Sequence, residues 1–272
     1  MIPKKEAKQT VVNKANFLLS SDTLWGYWLD LIFQMAKKFD FDWIDLALRK
    51  NFDAWSITYV KDLINKYEIP IKVIQVSDKV NSKEMNQALD LAREIWADVI
   101  SINAPAILDI KTYKFINNNL PALRKHNRWI KFCIINPSKS SFFALPIPKY
   151  YFTNIVEIIK KYKSMLWLDV ANIDEIVLET SLLRKITSFL PYISVVYLSD
   201  KTKTGKAHVW LWEWILKIPS LLKKFKQNEY FWYFSLKVEI SKRDLSDLDK
   251  VEIILKKSRQ YFRENYEDLN LR

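Results

Sequence analysis

The feature that most constrains this chain is an alternation. Eight short, almost wholly apolar runs are each followed by a stretch with helical periodicity. The runs fall at 17–22, 43–48 (WIDLAL), 71–77 (IKVIQVS), 98–104 (DVISINA), 130–136 (IKFCIIN), 165–171 (MLWLDVA), 193–199 (ISVVYLS) and 233–240 (YFSLKVEI). Strands apolar on both faces belong in a parallel sheet covered by helices. The helices are expected near 27–39, 56–68, 82–96, 113–127, 151–162, 175–190, 213–227 and 244–267. Eight such units in about 250 residues, joined by right-handed crossovers, predict an α/β fold, a single closed (β/α)8 TIM barrel. A doubly wound open sheet is the alternative. It usually has fewer strands, and no glycine-rich phosphate loop follows the first run here. No linker or shift in composition divides the chain, so residues 1–272 read as one domain, with 1–14 as a flexible N-terminal extension. The long irregular segment at 136–151 follows the fifth strand, which in a barrel places it on the active-site face.

Composition narrows the setting. No apolar run approaches the ~20 residues of a membrane span. The basic N-terminus lacks the apolar core of a secretory signal. The single cysteine, Cys133, excludes an internal disulfide and suits a reducing compartment, so a cytoplasmic location and no membrane partner are expected. The formal net charge of +12 would suit nucleic acid or an acidic ligand, but the lysines are scattered over many predicted helices. That pattern describes a solvated basic surface and disfavours nucleic acid.

Two residue counts stand apart. Glycine occurs 2 times and tryptophan 11 times, whereas average usage of ~7% would give about 19 glycines. Trp43, Trp96, Trp129, Trp167 and Trp232 fall at or near connections from helix to strand. Such helix ends favour a left-handed residue, normally glycine. The expectation is that the gene reads UGA as glycine and that all 11 tryptophans stand for it. HVWLWEWIL (208–216) would then be a flexible glycine-rich loop, HVGLGEGIL, rather than an aromatic platform.

With that substitution the motifs resemble those of the xylose isomerase-like barrels, the superfamily of sugar phosphate isomerases and epimerases and of endonuclease IV. FDFDWIDL (39–46) is similar to the second-strand GFDGIEL, and EIWADVISINAP (94–105) to the fourth strand. MLWLDVAN (165–172) is similar to LGLCLDTGH, and YLSDKTKTGKAHVWLWEWIL (197–216) to HLKD…H…LGEGxI. YFSLKVEI (233–240) resembles the final strand, which ends in a metal-binding glutamate. The resemblance covers about residues 15–265. It implies a divalent metal (Mn, Zn, Co or Mg) and proton transfer beside a carbonyl, with the metal polarising the substrate oxygens.

The resemblance carries over incompletely. Asp169 and Glu239 match metal ligands, and Glu239 with Lys237 are the candidate catalytic pair. The fifth-strand glutamate falls on Ile135 and the seventh-strand histidine on Tyr197, while a further histidine falls on Asn172. Asn136, Asn172, Asp200 and His208 are candidate substrate contacts. Lys237 shares a pleat face with Glu239 and could instead pair a carboxylate where a metal once sat. A carboxylate such as Asp169 at the end of an apolar strand needs a partner, solvent or a cation; capping the next turn is its plainer role. Asp45 matches the second-strand acid, and alternation points it into the barrel. His126 reads as surface and Cys133 as a core thiol.

The function implied is a sugar or sugar-phosphate isomerase or epimerase with a weakened metal site, acting on a small carbohydrate. A non-catalytic descendant that binds a carbohydrate or a protein is the alternative. A DNA-repair endonuclease suits the charge but not the two histidines. Outward-facing helices could also pair protomers into a homo-oligomer.

Overall fold

The computed structural model describes residues 15–138, 160, 164–173, 183–212 and 215–270. Apart from residue 160, the helix expected near 151–162 lies outside the described residues, as do the first half of that near 175–190, Trp214 and the N-terminal extension.

Eight parallel strands close into a barrel. They are β1 (Asn16–Ser20), β2 (Trp43–Ala47), β3 (Ile71–Gln75), β4 (Val99–Ile102), β5 (Lys131–Ile135), β6 (Met165–Asp169), β7 (Ile193–Leu198) and β8 (Tyr233–Leu236). Each pairs with its neighbours in chain order, and β1 pairs with β8. Between them run α1 (Leu29–Lys38), α2 (Ile57–Tyr67), α3 (Ser82–Ile95), α4 (Ile110–His126), α5 (Leu183–Phe189) and α6 (Ile218–Gln227), and α7 (Leu248–Phe262) follows β8.

The local chemistry explains these elements. In α3, Met85, Ala88, Leu89, Ala92 and Ile95 recur at helical spacing and are buried against the sheet. The Asn81 side chain accepts from the Glu84 N–H and starts the helix. Trp96 ends it in the left-handed conformation, φ 58°. Left-handed residues also follow α1 (Asp40), α2 (Glu68) and α6 (Glu229). Of the five tryptophans placed by the sequence at such connections, only Trp96 has positive φ among the described residues.

Two apolar cores result. One lies between helices and sheet. The other fills the barrel interior with Leu18, Val73, Val99, Cys133, Ile135, Trp167, Val195, Tyr197 and Tyr233. Trp167 is fully buried there, its ring 4.2 Å from that of Tyr197. Cys133 is buried as expected, which pushes its thiol up to about 12. His126 is exposed on α4, with Nδ1 2.8 Å from the Ala122 carbonyl. Among the described residues no helix is long and apolar enough to cross a membrane.

Candidate active site

The site is assembled where the strands end. At the top of β5 and β6, the Asn136 side chain acts as an extra rung of the sheet. Its Oδ1 accepts from the Asp169 N–H at 2.6 Å and its Nδ2 donates to the Asp169 carbonyl at 3.0 Å. Asn172 Nδ2 donates in turn to the Asn136 carbonyl at 3.0 Å. Both asparagine amides are thus engaged with backbone, and they fix the position of Asp169.

Asp169 is 1% exposed. Its Oδ1 accepts from the Ala171 N–H at 3.1 Å, capping the short turn that follows β6. Its Oδ2 stands 3.6 Å from His208 Nε2. Oδ1 thus fills the capping role that the sequence offered as the plainer one, while Oδ2 faces His208.

His208 reaches this position from a feature that the apolar pattern did not signal. After β7 the chain forms a small antiparallel hairpin, Asp200–Lys201 against Ala207–Val209. His208 adopts φ 59°, a strained conformation for a residue with a Cβ. Its Nδ1 lies 3.1 Å from Ser199 Oγ, and its carbonyl accepts from the Glu239 N–H at 2.7 Å. Asp200 is fully buried, and its Oδ1 accepts from the Lys201 and Leu216 N–H groups at 2.7 and 2.8 Å. That carboxylate ties the two ends of the hairpin segment together. The rings of Trp210 and Trp212 are tilted against one another, centroids 5.3 Å apart and planes inclined by 56°, and pack half-buried against the core.

Beyond β8, Lys237 and Glu239 continue the inward-facing register of Tyr233 and Ser235. The Lys237 ammonium lies 3.7 Å from Asp22 Oδ2 and 4.5 Å from the centre of the Tyr197 ring. One layer deeper, Asp45 is fully buried and does point into the barrel. It accepts from Gln75 Nε2 at 2.9 Å and from Ser235 Oγ at 2.8 Å. Burial pushes its carboxyl up to about 7, opposed by Gln75, Ser235, Lys237 and Tyr197.

A cavity of about 480 Å³ opens at the C-terminal mouth of the barrel, where barrel enzymes place their chemistry. Asp22, Arg49, Lys50, Gln75, Asp78, Asn103, His208, Lys237 and Glu239 contribute to its wall. Lys237, His208 and Glu239 are therefore brought together. Asp169 stands behind His208, and Asn136, Asn172 and Asp200 are not part of the wall. Sequence reasoning missed Asp22, Arg49 and Gln75. The only signal they gave was their place just past, or at the end of, the first three strands.

Ile135 and Tyr197, at two of the positions where the resemblance implies ligands, belong to the apolar interior cluster. Asp169 already has a partner on each oxygen, and among the described residues no group of three or more His, Cys, Asp or Glu side chains is placed to hold a metal. The donors among the described residues do not fit a divalent cation.

No protein-family model matches the sequence, and no well-characterised protein matches it at the sequence level. Solved structures do match. The chain superposes on a D-allulose 3-epimerase from Methylomonas sp., solved in complex with D-allulose, with a TM-score of 0.67 at 12% identity, covering 93% of this chain and 98% of that one. For a xylose isomerase domain protein from Alicyclobacillus acidocaldarius the TM-score is 0.68 at 9% identity, with the same coverages of 93% and 98%. For the 3-keto-D-glucoside 4-epimerase YcjR of E. coli it is 0.64 at 13% identity, covering 90% and 99%. At such identities the likeness is one of fold alone, and it agrees with the closed parallel barrel seen here: the chain has a (β/α)8 TIM-barrel fold that superposes on xylose isomerase domain and sugar epimerase structures.

Proposed function

We propose that this protein is an isomerase or epimerase of a small sugar or sugar phosphate, acting by proton transfer beside a carbonyl. The observation that carries this reading is the convergence of His208, Glu239 and Lys237 on one polar cavity, with Asp169 backing His208 at 3.6 Å. A wall rich in charged and amide side chains suits a polyhydroxy ligand.

The roles follow from position. His208 and Glu239 are the groups that take a proton from the carbon next to the carbonyl and return one to the same or the adjacent carbon. The electron pair released moves onto the carbonyl oxygen, and Lys237 offers its ammonium to the charge that develops there. Asp169 orients His208, as a carboxylate does for a catalytic imidazole. Asn136, Asn172 and Asp200 shape the site by holding the strand ends and the hairpin. No step is routed through a metal, because the donor set does not fit one.

The test is solvent exchange. The purified protein is incubated in D2O with a panel of aldoses, ketoses and their phosphates, and the C–H next to the carbonyl is followed by proton NMR. Deuterium should enter at that carbon with at least one substrate. His208→Asn and Glu239→Gln should each slow exchange by about 100-fold or more. Saturable sugar binding with no exchange on any substrate would replace this reading with a non-catalytic carbohydrate-binding barrel.

A further inference from the structure

Lys237 is held more elaborately than a surface lysine. Its backbone N–H donates to the Leu198 carbonyl at 3.2 Å, and the next N–H, that of Val238, donates to Thr23 Oγ1 at 3.1 Å. The segment therefore cannot slide relative to β7. At its tip the ammonium has the Asp22 carboxylate at 3.7 Å and the face of Tyr197 at 4.5 Å. A ring face attracts a cation through its quadrupole, and more strongly where water is excluded. Tyr197 is fully buried, so its face is a fixed, dry platform.

Tyr197 also stands where the resemblance puts a metal-binding imidazole. In this chain that position supplies a ring face for a cation rather than an imidazole nitrogen. Ile135, at the matching position on β5, supplies neither. A divalent ion entering here would meet the Lys237 charge and would find two of its usual ligands missing. Both changes act in the same direction: the site loses ligands for an outside cation and gains a cation of its own.

We infer that the Lys237 ammonium, seated on Tyr197 and Asp22, replaces a divalent cation as a positive charge that this cavity, whose wall also holds Arg49 and Lys50, presents to a bound carbonyl or carboxylate oxygen. The ligand class is a small compound with adjacent hydroxyl and carbonyl or carboxylate oxygens, and it binds without metal. The role of such a charge during proton transfer rests on the functional reading above; the binding claim does not.

Two measurements test the inference, and neither needs turnover. The protein is first stripped with a chelator and exchanged into metal-free buffer. Mn2+ is then titrated in, and the free ion is followed by electron paramagnetic resonance. The wild-type chain should not deplete the free signal. Uptake of one equivalent by the wild type, lost in Asp169→Asn, would overturn the inference. Second, glycolate, which carries adjacent hydroxyl and carboxylate oxygens, is titrated calorimetrically with chelator present. Lys237→Met should weaken binding at least tenfold, and Lys237→Arg should weaken it less, because it keeps the charge. Circular dichroism confirms that both variants are folded. Equal glycolate affinity in wild type and Lys237→Met would overturn the inference as well. A chain that binds glycolate through Lys237 without metal, yet catalyses no exchange with any sugar, would sustain this inference and remove the functional proposal.

Discussion

Along β8 the interior positions run Tyr233, Ser235 and then Lys237; along β6 they run Met165, Trp167 and Asp169; along β3, Val73 and Gln75. The same strands thus build two regions of the barrel interior that touch one another and behave differently. The lower region is a dry plug of Leu18, Val73, Val99, Val195, Trp167 and Tyr233. The upper region is a connected set of polar side chains in which Asp45, Gln75, Ser20 and Ser235 bond to one another. One pleat repeat, two residues, separates them. A rigid apolar layer below is what allows buried carboxylates above to be held in place, since they stand on strand ends that cannot move independently.

Three substitutions probe this division, in falling order of effect. Leu18→Ala opens a cavity in the plug and should destabilise the fold by about 2–5 kcal/mol in denaturant unfolding. A loss below about 1 kcal/mol would mean that the plug is not what holds the strands together. Asp45→Asn addresses the layer above. The folded chain holds the Asp45 proton up to about pH 7, whereas an unfolded aspartate loses it near pH 3.9. Between these values the folded state binds more protons, so stability should fall as pH rises, by at most about 1.4 kcal/mol per pH unit from this group, and level off above the folded value. Lys237 and Tyr197 face Asp45 and are unchanged in the variant. Asp45→Asn should flatten the slope between pH 4 and 7 and be the more stable protein at pH 8. An unaltered slope would place the titrating group elsewhere. Trp96→Gly is the smallest. Trp96 is 78% exposed and left-handed at φ 58°, so glycine should raise stability by about 1 kcal/mol. Peptide mass spectrometry of protein from its natural source reads the residue at 96 directly, and glycine there is what the proposed UGA reading requires.

The barrel was legible because strands buried on both faces leave apolar runs that survive in a single sequence. Their ends were less so. The run 233–240 reads as one strand, yet the ladder stops at Leu236. Beyond it the N–H groups of Lys237, Val238 and Glu239 turn to Leu198, Thr23 and His208, partners that no local pattern announces. Between β7 and the loop expected at 208–216 the chain forms an antiparallel hairpin that delivers His208, and no local pattern signalled it. For the site, Asp169 and Lys237 stood out from apolar runs, and Asp169, Glu239 and His208 matched positions of the family's motifs. Which of them face the cavity was not. Asp169 was expected as a metal ligand, and its oxygens are directed at Ala171 and His208. The bond between Asp45 and Ser235 spans 190 residues of sequence, and periodicity carries no information across such a distance.

The hairpin has one more consequence. Its tip closes on itself: the Thr202 carbonyl accepts from the Gly205 N–H, Thr202 Oγ1 accepts from the Lys206 N–H, and the Lys206 carbonyl accepts from the Thr202 N–H. Residues 203–206 are exposed, and Gly205 takes φ 84° with open space around it. Asp200 clasps the base of the same segment by bonding to Leu216. The tip is therefore a handle, anchored at its root and free at its end. A fluorophore, an affinity peptide or a short inserted loop grafted between Thr204 and Lys206 would report on the histidine a few residues away while leaving the barrel beneath it intact.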